Sequence, residues 1–149
     1  MISDDALNAI KLRYDRNFHS LHAEGPDAAY ALLCVIGATL HQPYVERVAR
    51  CIVERKAFGA NDFQFRYCVP DVMDHGEPVW EGVEVEAIEE VEYLSERTFE
   101  LLMLRAIRLL LSESPLEGRS GISSQTRADI EPLLRDIEER NQDPSPTMR

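Results

Sequence analysis

The chain has 149 residues and a mass of 17.0 kDa, which is the size of one ordinary domain with a single hydrophobic core. Hydrophobic residues make up 44% of it and charged residues 29%, which excludes a largely disordered chain without enough apolar surface to fold. The formal net charge of −11 argues against direct binding of nucleic acid, because such proteins normally carry a basic patch. We therefore expect one domain over residues 1–140 and a disordered tail over residues 141–149, which contain two prolines.

The N-terminal residues lack the pattern of a secretory signal, which needs a basic region followed by an apolar stretch. The uncharged run over residues 28–40 falls short of the roughly 18 to 20 apolar residues that cross a hydrocarbon core. Both observations predict a cytoplasmic protein without a membrane partner.

Helical spacing dominates the start of the chain. Ser3 or Asp4 can cap a first helix, and the apolar residues that follow recur at three- and four-residue steps, as one face of a helix requires. These residues are Leu7, Ile10, Tyr14, Phe18 and Leu21.

Two more helices are predicted before residue 60. Gly25 and Pro26 break the chain, and residues 28–40 are apolar almost all round, which is typical of a central helix. Pro43 suits the first turn of a third helix that ends before Gly59. The first sixty residues therefore predict three helices.

Alternation with a period of two replaces the helical spacing at Asp62. Apolar and polar residues alternate over residues 62–69, which predicts a strand with one buried face. A second alternating stretch covers residues 79–87, after a loop rich in Asp, Gly and Pro, and we expect the two strands to pair in antiparallel fashion. The alternation slips out of phase over residues 88–91, which predicts a bulge or a bend.

Two helices are predicted after the strands. Ser95 is a good N-cap for a helix over residues 98–111, whose wide apolar face should lie under the sheet. A last amphipathic helix follows, in which Pro132 is tolerable only near the start. The predicted fold class is α+β, with N-terminal helices, a small antiparallel sheet, and C-terminal helices packed on the sheet.

The negative charge is concentrated in one segment. Residues 1–60 contain seven acidic and seven basic residues, whereas residues 71–92 contain nine acidic residues and no Lys or Arg. Like charges that lie close together repel one another by roughly several tenths of a kcal/mol per pair, and a basic partner would relieve that repulsion. A patch of one sign also raises the association rate with an oppositely charged protein by roughly one to three orders of magnitude.

Alternation along the second strand separates its two faces. Val83, Val85 and Ala87 are predicted to point inward, while Glu84 and Glu86 project into solvent. We predict that the acidic side chains face a partner and that the tryptophan is an aromatic anchor. The predicted partner-binding residues are Asp71, Asp74, Glu77, Trp80, Glu81, Glu84 and Glu86. Two simpler interpretations stay open: acids that only keep an exposed strand soluble, and a tryptophan that packs in the core.

The sequence offers no motif for catalysis, for a cofactor or for a metal. It has neither a glycine-rich phosphate loop nor a nucleophile elbow, and His19 and His22 have no third ligand nearby. Cys34, Cys51 and Cys68 lack a Cys-x-x-Cys pairing and are expected to be reduced core residues. We therefore predict a binding protein that is not an enzyme and needs no cofactor.

Between residues 62 and 112 the sequence contains the run Val69-Pro70-Asp71, the acidic loop, the run Trp80-Glu81-Gly82-Val83, and Ser95 and Phe99 at the start of a helix. In this order of features the middle of the chain resembles immunity proteins of bacterial contact-dependent growth inhibition systems. Such immunity proteins are cytosolic, have no enzymatic activity, and block a cognate toxin domain, often a nuclease, by tight binding. The resemblance implies that the acidic surface occupies the active site of a basic nuclease as a mimic of its substrate.

Two other functions stay open from the sequence. An acidic, dimeric secretion chaperone would hold an effector protein, and the helix over residues 98–111 would then be its interface with a second copy. The other is an adaptor domain for some other regulator. Gene neighbourhood separates an immunity protein from a chaperone, because an immunity gene should lie directly behind a large toxin gene and a chaperone gene beside an effector or secretion locus.

Overall fold

The computed structural model describes residues 1–68, 76 and 80–142, which form five α-helices and six strands. The helices are α1 (Asp4–Asn8), α2 (Tyr30–Thr39), α3 (Val45–Glu54), α4 (Glu96–Glu113) and α5 (Ser124–Arg140), with a short 3₁₀ turn (Asp27–Ala29) before α2. The strands are β1 (Lys11–Asp15), β2 (Ser20–Glu24), β3 (Phe58–Ala60), β4 (Phe63–Tyr67), β5 (Val83–Ala87) and β6 (Glu90–Leu94). This mixture of helices and antiparallel strands confirms the predicted α+β class. None of the described helices combines the length and the apolar character needed to cross a membrane.

Four strands form an antiparallel sheet in the order β3-β4-β5-β6. The predicted pairing of the two alternating strands is confirmed, since Phe65 lies opposite Val85 and Tyr67 opposite Val83. These four side chains are buried and belong to what we call the inner face of the sheet. The intervening residues of β4, β5 and β6 point to the opposite side, the outer face.

The core lies between the inner face and the helices. Helix α2 contacts strands β2 to β6, and its residues Leu32, Val35 and Ile36 have no exposed surface. Helix α4 was expected under the sheet. It contacts the sheet through Phe99, whose ring centroid lies 5.1 Å from that of Phe65, and through Glu100, which bonds to Tyr67; it also packs against α5, β1 and β2. The central layer is therefore α2, as its nearly all-apolar sequence indicates.

The prediction of three N-terminal helices is wrong for residues 11–24, which form the antiparallel hairpin β1–β2. Helix α1 begins as predicted, because the Ser3 hydroxyl accepts the backbone N–H of Ala6 at 3.2 Å, but it ends at Asn8. The Asp15 carboxylate then accepts two backbone N–H groups of the following turn, at 2.8 and 3.3 Å, and so reverses the chain. Phe18, predicted on a helix face, is 76% exposed at this turn.

The second difference concerns residues 88 and 89. They form a two-residue turn that leads from β5 directly into β6, since Ala87 pairs with Glu90. The predicted bulge or bend is therefore a hairpin turn, and the sheet gains a strand.

The C-terminal helix also differs from its prediction. It begins at Ser124, after the N-cap Ser123, so that Pro132 lies in its interior. Asn141, predicted to open a disordered tail, is buried with 7% of its surface exposed. Residues 143–149, the rest of that tail, lie outside the described residues.

A buried carboxylate ties four elements together. Glu100 on α4 accepts hydrogen bonds from Arg140 at 2.6 and 2.8 Å, from the Tyr67 hydroxyl at 2.6 Å and from the Asn141 side-chain amide at 2.8 Å. Arg140 also donates to two carbonyl groups in the last turn of α3, at 2.6 and 2.9 Å. Both oxygens of the carboxylate thus accept hydrogen bonds, and a buried charge requires such partners.

Candidate functional site

The outer face of the sheet carries a charged and aromatic cluster. Arg66, Glu84 and Tyr93 lie side by side on β4, β5 and β6. The Arg66 guanidinium donates to one oxygen of Glu84 at 3.3 Å, and the Tyr93 hydroxyl donates to the other at 3.0 Å. Only 12% of the Glu84 side chain is exposed. Glu84 is therefore on the predicted face, but its charge is already matched within the chain.

Glu86 is engaged in the same way one row further along β5. The side-chain amide of Gln64 donates a hydrogen bond to its carboxylate, and both residues are half-buried. The expectation that Glu84 and Glu86 project freely into solvent is wrong, because the neighbouring strand supplies a polar partner for each. Their part in partner binding stays a prediction.

Trp80 packs on this cluster. The guanidinium carbon of Arg66 lies 4.7 Å from the centroid of its ring, and the ring of Tyr93 lies 6.1 Å away. Trp80 is half-buried, so it lies outside the core while resting on its own chain. This cation–π contact stabilises the position of Arg66 beside Glu84.

The exposed acidic residues lie at the two ends of the cluster. Glu81, Glu89 and Glu90 are exposed, and none of them forms an ion pair with another residue in the described part of the chain. Glu89 and Glu90 were not among the predicted site residues, because their prominence depends on the hairpin turn at residues 88 and 89. The three predicted site residues that lie outside the described residues are Asp71, Asp74 and Glu77.

A concavity with a volume of about 470 Å³ lies beside this hairpin turn. Of the described residues, Asp27, Tyr30, Ile88, Glu89 and Glu90 line it, so this lining combines three carboxylates with an aromatic and an aliphatic side chain and includes no basic one. Ile88 is 57% exposed and has a left-handed backbone with φ of 59°, a conformation that a β-branched residue rarely adopts. The pKa of Tyr30 is raised, first by its interaction with Cys34 and further by the negative charge of Glu90.

Glu92, the last acidic residue of the segment, has a structural partner. Its side chain lies on the inner face and accepts the backbone N–H groups of Ala31 and Leu32 at 2.9 and 3.0 Å. These groups have no partner within α2, and the helix dipole favours a negative charge beside them. Glu92 therefore caps α2 and does not belong to the exposed surface.

The helix over residues 98–111 offers little surface to a second copy. Its apolar side chains, including Phe99, Met103 and Ile107, are buried within the chain itself. Among them Leu101 is the most exposed, at 39%. Most of the apolar surface on which the expected dimer interface depended is thus already buried, and that interface stays a prediction.

The histidine pair and the three cysteines were not predicted to form a functional site. His19 and His22 belong to the β1–β2 hairpin, and the described residues contain no group of three side chains that could hold a metal ion. Cys34, Cys51 and Cys68 are half-buried, so they are less buried than the core position expected of them.

The outer face and the β5–β6 turn together form the candidate site, an open surface suited to cationic and apolar groups of a macromolecule. Its exposed carboxylates attract positive charge, while Glu84 holds Arg66 in place and Trp80 packs on that arginine. No protein-family model, curated protein or solved structure matches the chain.

Proposed function

We propose that this chain is an immunity protein that binds and neutralises a basic toxin domain, a nuclease in the first instance. In this proposal the surface around the β5–β6 turn covers the toxin's active site and takes the place of a phosphodiester substrate. One observation carries it: Glu81, Glu89 and Glu90 are exposed without an ion pair to any described residue, and no basic side chain among those residues lines the concavity beside Glu89 and Glu90. We expect it to act in the cytoplasm, without a cofactor and without catalysis.

The exposed and the paired carboxylates have different parts in this proposal. An exposed carboxylate attracts a cation about 4 Å away by roughly 1 kcal/mol in water and by about 4 kcal/mol near a protein surface. Glu84 gains less from a partner, because its contacts with Arg66 and Tyr93 would have to be exchanged for new ones. The association rate should therefore depend most on Glu81, Glu89 and Glu90, together with the predicted loop residues Asp71, Asp74 and Glu77.

The aromatic cluster supplies the apolar part of the surface. Trp80 and Tyr93 are half-buried and in contact with Arg66 or Glu84, so their orientations are fixed before a partner arrives. Rigid aromatic side chains lose little conformational entropy on binding, which is why they are frequent at the centres of interfaces. The cluster is therefore suited to anchor a partner that the exposed carboxylates attract.

The test begins with the C-terminal domain of the protein encoded directly upstream of this chain's gene, where a toxin gene is expected. If the proposal holds, expressing that domain alone arrests bacterial growth and co-expression of this chain restores it. Association of the two purified proteins, followed by stopped-flow fluorescence of Trp80, should be fast at low salt and fall steeply as salt is added. A domain that is harmless, or one that this chain neither binds nor neutralises, would overturn the proposal.

A matched pair of triple variants then tests the surface. Replacing Glu81, Glu89 and Glu90 by Gln should lower the association rate by roughly ten-fold at low salt. The control replaces three other exposed acidic residues that form no ion pair with a described residue, and it changes the net charge equally. These residues are Glu117, Asp136 and Glu139. Equal rates for the two variants would show that net charge alone steers the association.

A secretion chaperone, by contrast, would bind an unfolded, extended form of its partner and would not bind the folded domain.

A further inference from the structure

Strand β6 is an edge strand, and one end of its edge is occupied. It is the last strand in the order of its sheet, with β5 on one side. On the other side the backbone N–H of Ile2 donates to the carbonyl oxygen of Tyr93 at 2.8 Å. The N-terminal residues thus cover the edge near Tyr93, whereas no described residue pairs with the end nearer to the hairpin turn, which we call the open end.

The open end presents unpaired backbone groups. In an antiparallel ladder, alternate residues turn their N–H and C=O groups toward one neighbouring strand or the other. The bond from Ile2 shows that Tyr93 turns these groups away from β5. Val91, two residues earlier, has the same orientation, and no described residue bonds to its outward N–H or C=O. An extended segment can therefore pair with the backbone at Val91.

The side chains along this end differ between the two faces. On the outer face Val91 is 44% exposed. On the inner face Glu90 lies with Asp27 and Tyr30 at the concavity of about 470 Å³. A second concavity, of about 350 Å³, lies between the N-terminal residues and Val91. A segment added at the edge would thus meet an apolar neighbour on one face and two carboxylates on the other.

We infer that the open end of β6 docks an extended segment of a partner polypeptide in which apolar and basic residues alternate. Its apolar side chains lie beside Val91, and its basic side chains face Asp27 and Glu90. Complementary charge selects this occupant, because no Lys or Arg side chain from the described part of the chain lines either concavity. The inference deepens the proposed function by naming how a basic partner attaches, and it rests on that proposal only for the partner's positive charge.

The experiment uses the whole chain and a synthetic peptide of about nine alternating valine and lysine residues, long enough to cover a strand of average length. Two derivatives carry backbone N-methyl groups, either at every valine or at every lysine. Only one of the two sets of N–H groups can face β6, the valine set in antiparallel pairing and the lysine set in parallel pairing. We expect one derivative to bind at least roughly ten-fold more weakly than the parent peptide and the other to bind as the parent does.

The charge part is tested with a double variant and its control. Asp27→Asn with Glu90→Gln should weaken the peptide by roughly ten-fold at low salt, whereas Glu117→Gln with Glu139→Gln should leave its affinity unchanged. Two methylated peptides of equal affinity, or a parent peptide that does not bind, would overturn the inference. Because this test needs no toxin, its failure is distinguishable from failure of the proposed function. If the chain neutralises its toxin but does not bind the peptide, the proposed function holds and the toxin binds to another part of the surface.

Discussion

Glu100 is the only acidic side chain among the described residues that is fully buried, with 2% of its surface exposed. Transfer of a carboxylate from water into a protein interior costs several kcal/mol unless hydrogen bonds replace its hydration. Arg140, Tyr67 and Asn141 supply those bonds. The same contacts join α4, α5 and β4, and they give the core a single arrangement in which all of them are made at once.

Removing the charge of Glu100 should destabilise the fold severely. Glu100→Gln leaves Arg140 partly buried without its counterion, and we expect a loss of about 3 to 5 kcal/mol in the free energy of unfolding. Tyr67→Phe removes one hydrogen bond and keeps the ion pair, so it should cost about 2 kcal/mol. Urea unfolding followed by circular dichroism measures both. A Gln variant no less stable than the Phe variant would contradict this account of the network.

At the scale of elements, Gly82 fixes how β5 begins. Its φ is +86°, a backbone conformation that favours glycine, and an added Cβ would lie far inside van der Waals contact with the carbonyl oxygen of Leu94. The end of β6 therefore packs directly on the backbone where β5 starts. This close approach helps to position Trp80 and Glu81, which immediately precede Gly82.

Gly82→Ala should cost about 3 kcal/mol in stability, because overpacking against the Leu94 carbonyl adds to the strain of a positive φ. Gly118→Ala is the matched control. Gly118 also has a positive φ, of +90°, but its added Cβ would meet no atom within 4 Å, so we expect only the conformational cost of about 1 kcal/mol. Thermal unfolding of the two variants makes the comparison. Similar losses would show that the contact with Leu94 can relax.

Elements with strong local signals could be predicted from the sequence. Ser95 and Ser123 cap long amphipathic helices, and the first of these caps is legible in the sequence. The alternation of β4 and β5 predicted their pairing. The two hairpin turns were missed for a physical reason. Neither contains the Asn-Gly or Asp-Gly pair that marks tight hairpins, and Ile88 occupies a backbone conformation that sequence rules assign to glycine.

The candidate site could be predicted only in part. The excess of acidic residues was visible in the sequence, and so was the face on which Glu84 lies. Which carboxylates have partners was not visible, because Arg66 and Tyr93 meet Glu84 only through strand pairing. Glu92 shows the same limit, since its partners are backbone groups of α2 about sixty residues earlier.

At the scale of the whole molecule, acid should unfold the chain partly through Glu100. Burial acts to raise the pKa of Glu100, but hydrogen bonds from Arg140, Tyr67 and Asn141 outweigh it, and the pKa lies below its ordinary value of 4.5. A carboxyl group with a lowered pKa in the folded state stabilises the protein above the unfolded-state pKa. That contribution is lost as the pH falls through the folded-state pKa.

The stability difference between the wild-type chain and Glu100→Gln should therefore be constant from pH 7 to about pH 5 and shrink below about pH 4.5. Urea unfolding at a series of pH values measures it, with Tyr67→Phe as the variant that keeps the titrating group. A difference that stays constant down to pH 3 would mean that the charge of Glu100 contributes nothing to the stability.

Because Glu92 lies on β6 and caps α2, it links the edge strand of the sheet to the central helix. A chain segment that pulled β6 outward would draw the carboxylate away from the first turn of α2, and one that held β6 in place would tighten that turn. Exchange of the amide protons of Ala31 and Leu32 should therefore respond to binding at the edge of β6, although neither residue needs to contact the bound segment.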